Sequence, residues 1–192
     1  DNADRVLPIE YDNFGRFHPF GTLPTGRDLF TFIVVGSRIS LVIGLLSVGL
    51  SALLASSLAL TAAYYKGRVD LSTVLISDGV MAMPQLLLLI MLTSVFSGTW
   101  LGNIYSGGFL LALIFAFTGW TYMWRSLRGP ALQVSERQWI DAARSFGQRP
   151  LVIMRRHMFP YITGYMLIYG SMTLGGAIIS IAGLSYLGLG VA

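Results

Sequence analysis

From Ile39 to Tyr65 the chain carries no charged residue. That run constrains the fold more than any other feature, because about 20 mostly apolar residues suffice for a helix to cross a bilayer. A second uncharged stretch, Gly79 to Trp124, is too long for one helix. It divides at Ser97–Gly108, a turn-rich segment in which Trp100 and Tyr105 suit the membrane–water interface. Spans are expected near Val74–Phe96 and Phe109–Trp124, and the uncharged run from about Pro160 to Ala192 supplies a fourth. Only 11% of residues are charged and 54% are apolar, against about 25% charged in a soluble domain, so the class is an all-α polytopic membrane protein. The absence of Cys removes disulfides, Cys-ligated metals and thiol catalysis.

Lys and Arg set the orientation. The link after the first run holds Lys66 and Arg68. The link after the third holds Arg125, Arg128, Arg137, Arg144, Arg149, Arg155 and Arg156, and the Ser97–Gly108 link holds none. By the positive-inside rule the two basic links are cytoplasmic and both chain ends lie outside. The formal charge of +4 is read as loop Lys and Arg of this kind, with no nucleic-acid partner. Residues 1–38 form a polar extracytoplasmic segment and 39–192 the membrane domain. A polar segment with no hydrophobic export signal does not reach the outside unaided. The chain is therefore expected to be a fragment, lacking an N-terminal span and a closing C-terminal one.

Within the cytoplasmic loop 125–160, Ser135-Glu136-Arg137-Gln138 fits a capping box. A helix from about Glu136 to Phe146 then places Trp139, Ala142, Ala143 and Phe146 on one face. Gly147 suits the left-handed position past a helix end. Pro150 suits the first turn of a second helix, running to about Met158 before Pro160 begins the return to the membrane. An amphipathic pair of this kind either rests on anionic lipid, with Arg155 and Arg156 toward headgroups, or docks a protein. The small Ala142–Ala143 pair favours docking, because it allows close approach.

The same segment resembles the cytoplasmic EAA motif of ABC-importer permeases: Glu-Ala-Ala, three residues, Gly, nine residues, Ile, any residue, Leu-Pro. Asp141-Ala142-Ala143, Gly147 and Pro160 stand at the matching positions. Asp141 replaces Glu, His157 stands at the Ile position and Phe159 at the Leu position; the Arg156-His157 form is similar to the peptide/nickel subgroup. His18-Pro19-Phe20-Gly21-Thr22 with Gly26-Arg27-Asp28 resembles that subgroup's HPFGTDxxGRD element, with Leu23 at the usual Asp. Arg38-Ile39-Ser40-Leu41, Tyr64-Tyr65, Gly67, Val69-Asp70, Asp78, Pro84 and Leu184 through Gly190 also match in order and spacing.

The resemblance implies a type I ABC-importer transmembrane domain, about four spans of it plus a coupling helix pair, in a prokaryotic cell membrane. It also implies a pore shared with a homologous permease, two cytoplasmic ATPase subunits that bind the ATP and Mg, and an extracytoplasmic solute-binding protein, all in membrane lipid. Asp141, Ala142, Ala143, Arg144, Gly147, His157 and Pro160 would belong to ATPase coupling. Peptides are the implied cargo, with nickel chelates or oligosaccharides as alternatives. No cofactor is expected on this chain.

Other residues complete the reading. Asp78 is expected near Arg68 or the interface in a structural role, with ion coupling as the alternative. Pro84 is expected to kink the third span, as packing or as part of a path. Gly170, Gly175, Gly176 and Gly183 with Ser171, Ala177 and Ser180 form a small-residue face in the last span, for close packing or pore lining. His18 and His157 lack neighbouring ligands for a metal. No GxxxxGK[ST], HExxH or Ser/His/Asp constellation occurs, so a catalytic role is not expected. An ion-coupled secondary transporter, an intramembrane enzyme and a membrane scaffold are the rival classes.

Overall fold

The structure is a computed structural model describing residues 10–11, 17–23, 28–97, 99 and 107–189. Trp100 and Tyr105 lie outside the described residues. The chain divides into two compact units, 1–42 and 43–192.

The first unit holds β1 (Glu10–Tyr11) and β2 (Phe17–His18), paired antiparallel, and the start of helix α1 (Leu29–Tyr65). α1 begins well ahead of the uncharged run because Asp28 caps it. The Thr31 N–H donates to Asp28 Oδ2 at 2.8 Å and the Thr31 hydroxyl at 2.6 Å. These bonds, the hydroxyl first, with the His18 imidazole 3.0 Å from Asp28 Oδ1, push the Asp28 carboxyl down to about 2. Gly21, at φ 77°, closes the turn after His18 in a conformation that favours glycine.

The second unit continues α1 and adds α2 (Gly67–Met81), α3 (Gln85–Ser97), α4 (Gly107–Ser135) and α5 (Gln138–Ser145). A final helix follows in three parts: α6 (Pro150–Ile153), a π turn (Met154–Met158) and α7 (Phe159–Tyr186). α4 is the hub, packed most extensively on α7 and then on α3 and α2. On α1 the buried residues Ser47, Ser51, Ala55, Ala59 and Ala63 recur every fourth position, a stripe of small side chains that lets helices approach. Ala55, Ala59, Leu60 and Ala63 join Trp120, Met123, Trp124 and Leu127 of α4 in one core cluster. Ile43, Leu89, Leu110, Phe115, Ala177 and Leu184 belong to a second.

Three sequence expectations are corrected here. Val74–Phe96 is not one kinked helix, because α2 and α3 meet at 82°. Pro84 has no N–H to continue the ladder and disfavours helical geometry at Met83. α4 does not stop near Trp124; it runs on to Ser135, burying Leu127, Ala131 and Val134. The expected small-residue set of α7 is divided, with Gly170 and Ala177 buried. Of the α7 glycines, a Cβ on Gly170 would stand 3.5 Å from Val48, whereas a Cβ on Gly175, Gly176 or Gly183 would meet nothing within 4 Å. Finally, the chain does not leave one helix to enter another at Pro160: Pro150–Tyr186 is a single helix of 37 residues.

The π turn explains that continuity. In a straight α-helix the Pro160 ring would clash with the carbonyl four residues earlier, and wider i→i+5 bonding relieves this. The Phe159 N–H donates to Met154 O. The extra residue also resets the buried face, which reads Ile153, Met158, Ile162, all fully buried. Met158 therefore occupies the core position that a regular helix would give to polar His157.

Among the described residues two helices, Leu29–Tyr65 and Pro150–Tyr186, are long and apolar enough to cross a membrane, or three if the bent α2–α3 pair is one span.

Candidate functional site

α5 begins after Arg137, which caps it with no side-chain hydrogen bond. The expected capping box does not form. Ser135 is still inside α4, its hydroxyl donating to Leu132 O at 2.8 Å. A residue bonded back into its own helix cannot cap the next one. The expected common face also divides. Ile140 and Ala143 are buried in the cluster with Ile153, Met158 and Ile162, whereas Trp139, Ala142 and Phe146 are exposed, Phe146 at 85%. Ile140 is the larger apolar group within reach of the core, and Ala143 lies one turn from it on the same side.

The end of α5 matches expectation. Gly147 has φ 72°, its N–H donates to Arg144 O at 2.9 Å, and the Gln148 N–H reaches Ala143 O at 3.2 Å. This paired closure requires a left-handed residue, which glycine adopts without strain. Pro150 stands in the first turn of α6. His157 Nε2 lies 3.3 Å from Gln148 Oε1, tying the π turn to the loop after α5.

Two further contacts hold α5 and the link before it against the α1–α2 junction, and the sequence reading missed both. The Arg144 guanidinium stands 4.8 Å from the Tyr64 ring centroid, and Lys66 Nζ lies 3.1 Å from Glu136 Oε1. Such exposed contacts are each worth about 0.5–1 kcal/mol, so they set position more than stability. Arg144 also donates to Asp141 Oδ1 at 3.1 Å, and Asp141 is otherwise open to solvent. The available signal was composition: cations and acids on short links between apolar helices, which seek partners.

Higher in the bundle, Arg128 clamps Asp70 through Nε at 2.7 Å and Nη2 at 2.5 Å, the fork geometry that favours Arg for carboxylates. Asp78 pairs with Arg125, not with Arg68. These pairs join α2 to α4 and neutralise the acids closest to the apolar runs. His18 pairs with Asp28; among the described residues no three His, Cys, Asp or Glu side chains gather as metal ligands.

A cavity of about 300 Å³ opens between α1, α3, α4 and α7. Ser47, Ser51, Gln85, Tyr122, Thr173 and Ser180 give it hydroxyl and amide groups, and none of its lining residues is charged. Gly176 and Ser180, two of the expected path residues, line it. Gly175 does not, and Pro84 immediately precedes the lining Gln85. The Ser51 hydroxyl donates across to Ala116 O at 3.2 Å, while a Cβ on Gly119 would stand 3.3 Å from Ser51 Oγ. That interhelical bond depends on the close approach that the missing side chain permits. Apart from Ser180, the cavity's hydroxyls went unforeseen because each looks like ordinary helix filler until α4 lies against α1.

Comparison with known proteins places these features. Residues 51–192 match the family described as "Binding-protein-dependent transport system inner membrane component". Over 98% of its length the chain is 34% identical to the glutathione transport system permease protein GsiD of Pectobacterium atrosepticum, covering 63% of that protein. A GsiD of Escherichia coli is 34% identical over 95% of the chain and 59% of its own length. The dipeptide transport system permease protein DppC of Bacillus subtilis is 34% identical over 91% of the chain and 52% of its own length. The chain thus spans about half to two thirds of the curated relatives it matches. It belongs to the binding-protein-dependent transport system inner membrane components.

Proposed function

We propose that this chain is one of two homologous permeases forming the membrane path of an ATP-driven importer, that residues 135–160 dock into a cytoplasmic ATPase, and that the cargo is a short peptide. The observation that carries the docking reading is the outward face of α5. Trp139, Ala142 and Phe146 stand exposed while Ile140 and Ala143 of the same short helix are buried in the chain's own core. An aromatic pair flanking a small residue suits burial in a partner's groove. Asp141 and Arg144 lie beside that face, Gly147 sets the turn, and His157 and Pro160 belong to the π-turn joint through which α5 movement would reach α7. Ala143 holds α5 to its own protein rather than meeting the partner.

In this arrangement the bent α2–α3 pair and α4 complete four spans with α1 and α7, the basic links face the cytoplasm of a prokaryotic cell, and a solute-binding protein works on the other side. Two ATPase subunits would supply ATP and Mg. The uncharged cavity, with Gly176 and Ser180 at its wall, is the candidate path. Its hydroxyl and amide groups can exchange hydrogen bonds with peptide backbone, and both named cargoes of the relatives, glutathione and dipeptides, are short peptides. Nickel chelates and oligosaccharides are the rival cargoes, separable by competition in uptake assays. An ion-coupled carrier is disfavoured because Asp78 is paired with Arg125.

The test uses the assembled transporter. Phe146→Asp and Ala142→Glu should release the ATPase subunits on purification and lower ATP-driven uptake about tenfold or more, with the chain still inserted in the membrane. Retained ATPase and retained uptake in both variants would sink the docking assignment.

A further inference from the structure

A second groove lies on the opposite side of α1 from the cavity, between α1 and the helix that begins at Pro150. It encloses about 360 Å³ and is walled by Leu53, Leu60, Leu151, Met154 and Phe159. Arg155 is its single charged lining residue, and Ser56, Ser57 and Thr61 line it too. Those three hydroxyls are spent on their own helix, donating to Leu53 O, Leu54 O and Ser57 O, so Arg155 is the polar group free to select a ligand.

The groove has two chemically different ends. Thr61 lies one turn from the end of α1 at Tyr65, and Arg155 lies in the π turn, whereas Leu53 lies about 12 Å further along α1 at the helical rise. A cation at the end of a span beside an apolar trough running into the bilayer is complementary to a phosphate with an acyl chain. We propose that this groove is a binding site for an anionic phospholipid, its phosphate on Arg155 and one chain along Leu53, Leu60 and Phe159. The cytoplasmic leaflet is where such headgroups concentrate cations. The occupant would sit directly against the π turn that carries α5, so its presence would stiffen that joint.

Arg156 provides the internal control. It is exposed like its neighbour but does not line the groove. The full transporter is purified from membranes containing phosphatidylethanolamine and phosphatidylglycerol, and retained lipid is measured by mass spectrometry. Arg155→Gln should lower retained phosphatidylglycerol about fivefold, the factor for one cation near a charged surface, while Arg156→Gln leaves it unchanged. Ser57→Phe, at an exposed position facing the trough, should remove it while Arg155 remains. Equal losses from both arginine variants would mean diffuse surface attraction and overturn the site. A crosslink from position 57 to a second permease subunit, with no lipid retained in the parent protein, would overturn it in favour of a protein occupant. None of these readouts depends on transport, so failure of the peptide-import reading would leave the result standing.

Discussion

α1 and the Pro150–Tyr186 helix have the same length, 37 residues, and both are apolar enough to cross a membrane, yet they are built into the protein differently. α1 runs without interruption and buries a stripe of Ser and Ala at every fourth position. The other helix carries Gly175, Gly176 and Gly183 on open faces and enters the core through larger side chains, Ile153, Met158 and Ile162, aligned only because a π turn inserts one residue. The first is a fixed wall; the second is a joint, with α5 at one end and the cavity-lining residues at the other. The difference teaches that small residues in a span report a packing face only when a neighbouring helix reaches them.

The strongest challenge to this contrast is at the joint. Met158→Ala should cost about 2–5 kcal/mol, as for other fully buried large side chains, read as a lower unfolding temperature in detergent. A loss no greater than for an exposed Met172→Ala would mean that the π-turn register does not organise the core.

Next in size is the wall. Ala59→Leu, at a fully buried position, should destabilise by about 1–3 kcal/mol through overpacking, whereas Gly175→Leu, with open space for its side chain, should leave stability within about 0.5 kcal/mol. Equal penalties would erase the distinction between the two helices. A smaller effect is expected where the two meet through α5. Tyr64→Leu removes the face under Arg144 and should cost about 0.5–1 kcal/mol while lowering the yield of uptake per ATP hydrolysed. An unchanged ratio would leave that contact without a role in coupling.

The smallest effect concerns the start of α1. The Asp28 carboxyl is held down to about 2 by its bonds to Thr31 and His18. A depressed carboxylate contributes fully above its ordinary value and loses that contribution as pH falls through its folded value. Hydrogen-exchange protection of the Thr31 amide should therefore be flat from neutral pH down to about 4 and decline only toward about 2. A decline beginning near pH 6 would assign the cap to His18 instead.

Much of the segment 135–160 was legible beforehand because it rests on local chemistry. A left-handed Gly147 and a first-turn Pro150 follow from what those residues can and cannot do. The face of α5 was misassigned because periodicity gives the residues sharing a side, not the side that meets the core. Ile140 decided that, through contacts with residues distant in sequence. The Asp70–Arg128 and Arg144–Tyr64 contacts were out of reach for the same reason, each joining residues of separate helices.

By itself the sequence determined the all-α membrane class, a bend at Pro84, the helix end at Gly147, and the family, since apolar run length, backbone restriction and motif spacing are properties of the chain. Only the tertiary structure decided that α1 is the packed wall, that Ala143 faces inward, and that Pro160 is absorbed by a π turn. Each of these is a choice among locally acceptable alternatives, settled by which side chains find room or a partner when α4 takes its place among the other helices.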